Sequence, residues 1–275
     1  MTLDILDYSA YGNAIDAESD ARIAAAAAAL GIAARIRAIR RGERLPDCAP
    51  WVWLRYDLRS PDDLRWICDA AGELARGGRA VFPSAAAILR AEDKRETYDA
   101  LRAAAVPTLA CRPVAEIAAC GRQAVVKPRV GWGGMGILRA GDTRTFRAPD
   151  GFVAEDHVCQ EFIPHDRTWT VAATDEDEIA VLEKWRRPDD FRTDGDFNRE
   201  VRRTAPFGNM VAIARAALAA AGLVAGTVDC IEVEGRIAVL EVNSAPCLVY
   251  PEIAGLDLAG PMVRRVYAWV RSCGF

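Results

Sequence analysis

The chain has 275 residues, about half of them apolar, and its 35 basic against 39 acidic side chains leave a net charge of −4. That is enough material for two or three compact lobes with cores of their own, and the acidic balance argues against a sequence-independent hold on nucleic acid. The eight cysteines form no C-x-x-C pair and the opening MTLDILDYS has no charged segment ahead of an apolar core, so a reduced, cytoplasmic protein is expected.

Residues 1 to about 90 alternate strand and helix signals: LDIL, an alanine-rich run, WVWLRY, a helix from Pro61 and then AVFP. This reads as a small α/β lobe. The alanine run IAAAAAALGIAA, from Ile23, stops short of the ~18 residues of a membrane span and reads as a helix packed on a sheet. The Pro61 helix has Ser60 as N-cap, proline at its first position and Asp62 and Asp63 at the positive end of its dipole. Leu64, Ile67, Cys68, Ala71 and Leu74 then make its apolar stripe. Trp51 and Trp53, two apart on a strand, are expected in the core. Arg55 and Arg59 are either ordinary exposed arginines or forks for a substrate carboxylate.

A helix near 92–105 ends before Val106-Pro107 and carries Lys94 in its first turn. The stretch from about 108 to 165 holds a glycine-rich hairpin and the strand QEFI. Between Lys184 and Arg203, arginines are nearly balanced by acids such as Asp189, Asp190 and Asp194, which suits a solvated loop or a substrate-contacting lid. A helix follows near 209–221, closed by Gly222, and an amphipathic helix near 258–271 ends the pattern. No internal repeat and no low-complexity linker interrupts it. His157 and His165 lack metal spacing, and Cys247 has no evident activating base, so an inert thiol is expected.

Two segments carry chemistry. In VDCIEVEGRIAVLEVNSAP, strand alternation puts Ile237, Val239, Glu241 and Asn243 on one face and Ala238, Leu240 and Val242 on the other. Asp229 joins the Glu241 face if the turn at Glu234-Gly235 has an odd loop or a bulge at Gly235, and the opposite face if the loop has two residues. Carboxylate and amide oxygens without His or thiolate partners suit a hard ion such as Mg²⁺; the alternative is a half-exposed strand with ordinary polar residues. In AVVKPRVGWGGMGILRA, Lys127 ends an apolar strand before Gly131, Gly133, Gly134 and Gly136, whose backbone can approach phosphate oxygens closely. The segment is neither a Walker A loop nor a Rossmann fingerprint, because Ile137 and Leu138 continue as a strand. Taken alone, it could equally be a plain glycine turn between strands.

Lys94, Lys127 with its glycine loop, Gln160-Glu161-Phe162-Ile163, Asp166-Arg167, Phe191-Arg192-Thr193, Asp229 and Glu241-Val242-Asn243-Ser244 occur in the order seen in ATP-grasp ligases. Over about residues 80–250 the chain resembles the RimK/glutathione-synthetase-like group of that superfamily. The resemblance implies an α/β chain of the α+β ATP-grasp fold: an N-terminal α/β lobe (1–90), a central subdomain with the phosphate loop (91–165) and a C-terminal subdomain with the metal site (166–275). The two subdomains would grip ATP between them. Lys94, Lys127, Gly133, Gly134, Met135 and Gly136 would meet phosphates, Gln160 and the hinge from Glu161 to Ile163 the adenine, and Asp166 the ribose. Arg192 would serve the terminal phosphate or developing acyl phosphate, and Asp229, Glu241 and Asn243 would hold one or two Mg²⁺ ions, with Mn²⁺ as an alternative.

The implied activity is ATP-dependent carboxylate–amine ligation through an acyl phosphate, on an amino acid, peptide or protein side chain. A phosphotransferase and a non-catalytic nucleotide-binding module are the alternatives. The implied partners are a small-molecule or peptide carboxylate and an amine, without nucleic acid or membrane, and self-association is an expectation of the resemblance. Two departures stand out. Where relatives read roughly F-R-S/T-N, this chain reads FRTDGDFN, so the asparagine is lost at Asp194 or displaced to Asn198; and Pro246 is followed by Cys247 where the group commonly has glycine.

Overall fold

The computed structural model describes residues 1–8 and 14–275. Strands β1 (Thr2–Tyr8), β2 (Ala33–Ala38), β3 (Trp51–Tyr56) and β4 (Ala80–Phe82) form a parallel sheet in the order β2-β1-β3-β4. Helix α1 (Ala14–Ala29) packs the alanine run on this sheet, with Ile23 and Ala27 buried against Leu3, Ile5, Trp51 and Trp53. The opposite face is covered by α2 (Pro61–Arg76), whose Leu64, Ile67, Ala71 and Leu74 meet Leu6, Val52 and Leu54. As expected, the Ser60 hydroxyl caps α2, accepting from the Asp63 N–H at 3.1 Å.

Two elements of this lobe go beyond the sequence expectation. β2 is an edge strand, AARIRA, mostly exposed and without the β-branched composition that marks a strand. The segment after β4 forms its own helix, α3 (Ala85–Glu92), before α4 (Lys94–Ala103) begins. Asp93 separates the two and caps α4 by accepting from the Arg95 and Glu96 N–H groups. Lys94 therefore sits at the first position of α4, which aims it toward the centre of the molecule.

The central segment builds a small antiparallel sheet, β5-β8-β6-β7, from β5 (Arg112–Pro113), β6 (Ala124–Pro128), β7 (Leu138–Ala140) and β8 (His157–Glu161). Its core is separate and small: Val114, Cys120, Ala124, Val126, Ala140 and Cys159. The glycine loop joins β6 to β7, as the sequence pattern suggested. A third, five-stranded antiparallel sheet has the order β11-β10-β9-β12-β13, with β9 (Arg167–Thr174), β10 (Glu178–Arg186), β11 (Asn198–Thr204), β12 (Ala225–Val233) and β13 (Arg236–Asn243). Both ends of the stretch from 184 to 203 are therefore strand, residues 184–186 in β10 and 198–203 in β11. Residues 187–197 between them lie outside the strands, which narrows the expected loop or lid to that segment.

Helix α5 (Met210–Ala221) ends at the left-handed Gly222 and packs on one face of this sheet. Helix α6 (Ala259–Ser272) joins the third sheet to the first: Val263, Val266 and Val270 belong to one core with Leu3, Trp53, Val171 and Val239. Tyr267 stacks on Trp51 at 5.8 Å and Trp269 meets Phe82 edge-on at 6.0 Å. The first and third sheets thus share a core, while the small central sheet has its own and faces the third across a cleft. Among the described residues no helix is long and apolar enough to cross a membrane.

Candidate active site

The β12–β13 hairpin turns through a two-residue loop, Glu234 and Gly235, both at positive φ (51° and 78°), with Val233 paired to Arg236. Taken alone, that loop would send Asp229 to the face away from Glu241. The register is reset farther along, where Cys230 pairs with Val239 but Asp229 with Glu241, leaving Leu240 as an extra residue on β13. A bulge bends its strand and re-aims side chains. Ile237, Val239 and Val242 enter the core, whereas Leu240 and Glu241 both line the cleft. The expected alternation is corrected accordingly: Val239 and Glu241 lie on opposite faces, and the bulge is at Leu240 instead of Gly235.

Asp229, Glu241 and Asn243 come together on this hairpin. Asn243 Nδ2 donates to Asp229 Oδ2 at 3.3 Å, and Asp229 Oδ1 accepts from the Thr170 hydroxyl and lies 3.2 Å from Lys184 Nζ. Lys94 Nζ is 3.5 Å from Glu241 Oε1 and donates to the Gly131 carbonyl at 2.9 Å, linking α4, the metal-type strand and the glycine loop. Burial pushes the Asp229 carboxyl up, against the pull of Lys184, and Asp194 and Glu241 add to the rise. Burial also lowers the Lys127 pKa, against the attraction of Glu241. These groups therefore share one electrostatic environment. Among the described residues no three His, Cys, Asp or Glu side chains are grouped as a metal cage. The two carboxylates and one amide fit a Mg²⁺-type ion only when substrate phosphates supply further oxygens, which is how that ion is commonly held.

An open cavity lies beside the hairpin, under the central sheet. Lys127, Gln160, Glu161, Phe162, Ile163 and Arg192 line it, together with Thr168, Thr193, Asp194, Ile231 and Leu240. A neighbouring hollow shares Gln160 and Leu240 and adds Lys94 and Glu241. Gln160 Nε2 donates to the Leu109 carbonyl at 3.3 Å, fixing the strand next to the hinge. The Phe162 ring lies under the Arg139 guanidinium at 3.9 Å and meets Phe191 edge-on.

Arg192 is held by Asp190 through two hydrogen bonds of 3.0 and 2.7 Å and donates to the Gly134 carbonyl at 3.2 Å. The loop from 187 to 197 thus closes on the glycine loop. Gly195, at φ 54°, lets the two backbones approach, since a Cβ there would stand 3.1 Å from the Gly133 carbonyl oxygen. Gly136 continues the glycine turn, and Met135 is exposed at its surface. Asp166 stands apart. Its carboxylate is 74% exposed, pairs with Arg186 at 2.9 Å, and does not line the cavity, so the structure does not place it with the other cofactor-binding expectations.

The arginines of the N-terminal lobe also differ from expectation. Arg55 is 2% exposed and donates to Asp20 Oδ1 at 3.1 Å, so it is neither a surface residue nor an open fork. Arg59 donates to Asp57 at 3.1 Å and lies 5.7 Å from the Trp132 ring of the glycine loop. His157 and His165 each engage a backbone carbonyl, at 2.7 Å. Burial raises the Cys247 pKa, and the thiol donates to the Val249 carbonyl.

Sequence reasoning passed over two groups. Lys184 is buried on β10 and bonds to both Asp194 and Asp229; burial works against its charge, but those acids outweigh it and raise the pKa. Its signal is the alternation Ala180, Leu182, Lys184, which puts a lysine on an inward strand position. The second group joins three segments. Glu92 Oε1 accepts from the Ser244 N–H and hydroxyl, and Tyr56 shares a hydrogen bond with that hydroxyl. Burial pushes the Glu92 carboxyl up to about 7, against the Ser244 hydrogen bonds. No short motif announces a contact between residues 56, 92 and 244.

The fold is shared with proteins of known structure. The structure is similar to D-cycloserine synthetase DcsG, with a TM-score of 0.72, 20% identity and coverage of 98% of this chain and 99% of that one. It is similar to a RimK domain ATP-grasp protein from Sphaerobacter thermophilus, with a TM-score of 0.66, 16% identity and coverage of 96% and 99%. The D-alanine–D-alanine ligase of Bacillus anthracis aligns over the full length of both chains, with a TM-score of 0.68 and 15% identity. At these identities the likeness concerns the fold. No curated protein matches the sequence. The sequence model of the ATP-grasp domain, however, matches residues 91–246, more than half of the chain and the whole of the cleft just described, and the protein belongs to the ATP-grasp family.

Proposed function

We propose that the protein is an ATP-dependent carboxylate–amine ligase that forms an amide or peptide bond through an acyl phosphate. The observation that carries this reading is the meeting of Lys94, Lys127, Asp229, Glu241 and Asn243 on one cleft, under the glycine loop. A carboxylate attacking the γ-phosphate brings two anions together, so the reaction depends on positioning and on fixed positive charge. Lys94 and Lys127 supply that charge from α4 and β6, and Arg192 supplies it from the loop that closes on Gly134. A Mg²⁺ ion would supply further positive charge against the phosphates. Glu241 and Asn243, with Asp229 beside them, would hold it. Phe162 and the backbone of the hinge from Glu161 to Ile163 would take the adenine.

In the second step the amine nitrogen attacks the acyl carbon, phosphate departs with the bonding pair, and the nitrogen gives up a proton. The glycine loop and the loop from 187 to 197, in contact through Arg192 and Gly195, would keep water from the acyl phosphate. The division into 1–90, 91–165 and 166–275 is supported by the three sheets, each of which falls within one of these segments.

The test is ADP and phosphate release from Mg·ATP against pooled amino acids and short peptides, with mass spectrometry of each positive pool. A signal requiring both an acid and an amine, with a product lighter by one water than its reactants, is the expected result. A stable phosphorylated product would instead make the protein a phosphotransferase, and ATP binding without turnover in any pool would favour a binding module or a larger acceptor.

A further inference from the structure

Lys184 is a buried charge beside the cleft that the reaction above leaves unused. It lies on β10 in register with Thr168, 7% exposed, and its ammonium touches Asp194 and Asp229 together. Asp229 is thereby filled by the protein. Oδ1 faces Lys184 and accepts from Thr170, and Oδ2 accepts from Asn243 Nδ2. A Mg²⁺ ion stands roughly 2.0–2.1 Å from its oxygen ligands, so on Oδ1 it would share that oxygen with the ammonium and the Thr170 hydroxyl, charge against charge. Thr193, which hydrogen-bonds Thr168, and Asp194 close over the lysine from the loop side. Glu241 is different: Lys94 is 3.5 Å away and the carboxylate borders the open hollow.

Charge points the same way. The cleft's carboxylates Asp194, Asp229 and Glu241 face the ammonium groups of Lys94, Lys127 and Lys184. Without Lys184 the acids would be in excess, and a second cation would be needed to hold Asp194 and Asp229 side by side.

We propose that Lys184 is a built-in cation that holds Asp194 and Asp229 in place of one metal ion, so that this cleft takes a single Mg²⁺-type ion on Glu241 and Asn243. The inference rests on the reading of the cleft as a nucleotide and metal site. It also gives the departure at Asp194 a role, since a carboxylate there is the partner that Lys184 requires.

The experiment is a titration of Mn²⁺ into the full chain with saturating ADP, following free Mn²⁺ by electron paramagnetic resonance and subtracting the ion bound by ADP in buffer. One ion per chain is expected for the unaltered protein and for Lys184→Arg, which keeps the charge. Lys184→Met should bind two, the second at least about tenfold more tightly than any second ion in the unaltered protein, a difference of about 1.4 kcal/mol. Two ions in the unaltered protein overturn the proposal. So does one ion in Lys184→Met when its circular dichroism and ADP affinity are retained, and so does the absence of any protein-held ion. If Lys184→Met does not fold, the counts for the unaltered protein and Lys184→Arg decide. One ion without ADP release from any acid and amine would refute the ligase reading alone; two ions with turnover would refute only this inference.

Discussion

Replacing Glu92 by glutamine should change the pH dependence of stability in a defined direction. The Glu92 carboxyl is raised from its ordinary value of 4.5 to about 7, chiefly by burial, with Ser244 opposing and Glu241 adding to the rise. A raised acid binds its proton more tightly in the folded than in the unfolded chain. The unfolded chain releases that proton first as pH increases, so stability falls between about pH 4.5 and 7 and levels off above. The displacement corresponds to at most about 3 kcal/mol. The glutamine side chain would keep the volume and the oxygen that accepts from Ser244, but would carry no charge at any pH. Urea unfolding without nucleotide or metal, at pH 5 and pH 8, is the assay. Asp20, raised to about 6 mainly by burial, also titrates in this window, so the difference between the two proteins isolates Glu92. Near-equal stability at pH 5 and an advantage of up to about 3 kcal/mol for Glu92→Gln at pH 8 is expected. Parallel curves for the two proteins would refute the assignment of a buried, proton-holding carboxyl.

Glu241→Ala and Asn243→Ala should each abolish Mg²⁺-dependent ADP release while leaving the unfolding midpoint nearly unchanged, and turnover retained in both would remove the metal role from this strand. Lys127→Ala should weaken ATP binding about tenfold or more, as expected for losing a charge-assisted phosphate contact; calorimetry showing unchanged affinity would contradict it. Arg55→Ala leaves Asp20 buried without its partner, beside an Oδ2 atom that already has none, and should cost about 3–5 kcal/mol. A urea midpoint equal to that of the unaltered protein would show that the pair is not a buried contact in solution.

Much of the fold could be read from local signals because those signals act over one or two turns of chain. Ser60 with Pro61, the stripe of α2 and Gly222 at the end of α5 each settle a helix boundary by a nearby hydrogen bond or a backbone angle. The order of Lys94, Lys127, the glycine loop and the Glu241-Asn243 strand pointed to one family, and the ATP-grasp match over residues 91–246 agrees. β2 escaped notice because it is an exposed edge whose side chains need no apolar pattern. β10 and β11 escaped because their arginines and acids resemble a solvated loop until the strands pair.

The side-chain arrangement of the cleft was decided at longer range. A two-residue turn at Glu234-Gly235 predicts the wrong face for Asp229, and only pairing of the completed sheet places the extra residue at Leu240. Likewise, Lys184 meets Asp194 and Asp229, and Tyr56 meets Ser244 beside Glu92, through contacts between segments up to 188 residues apart. The sequence by itself determined residue chemistry, helix caps and apolar periodicity, which are properties of neighbours along the chain. Strand register, the ion pairs of the buried lysine and arginine, and the single cleft were decided by tertiary structure, because each depends on which distant groups share the same low-dielectric space.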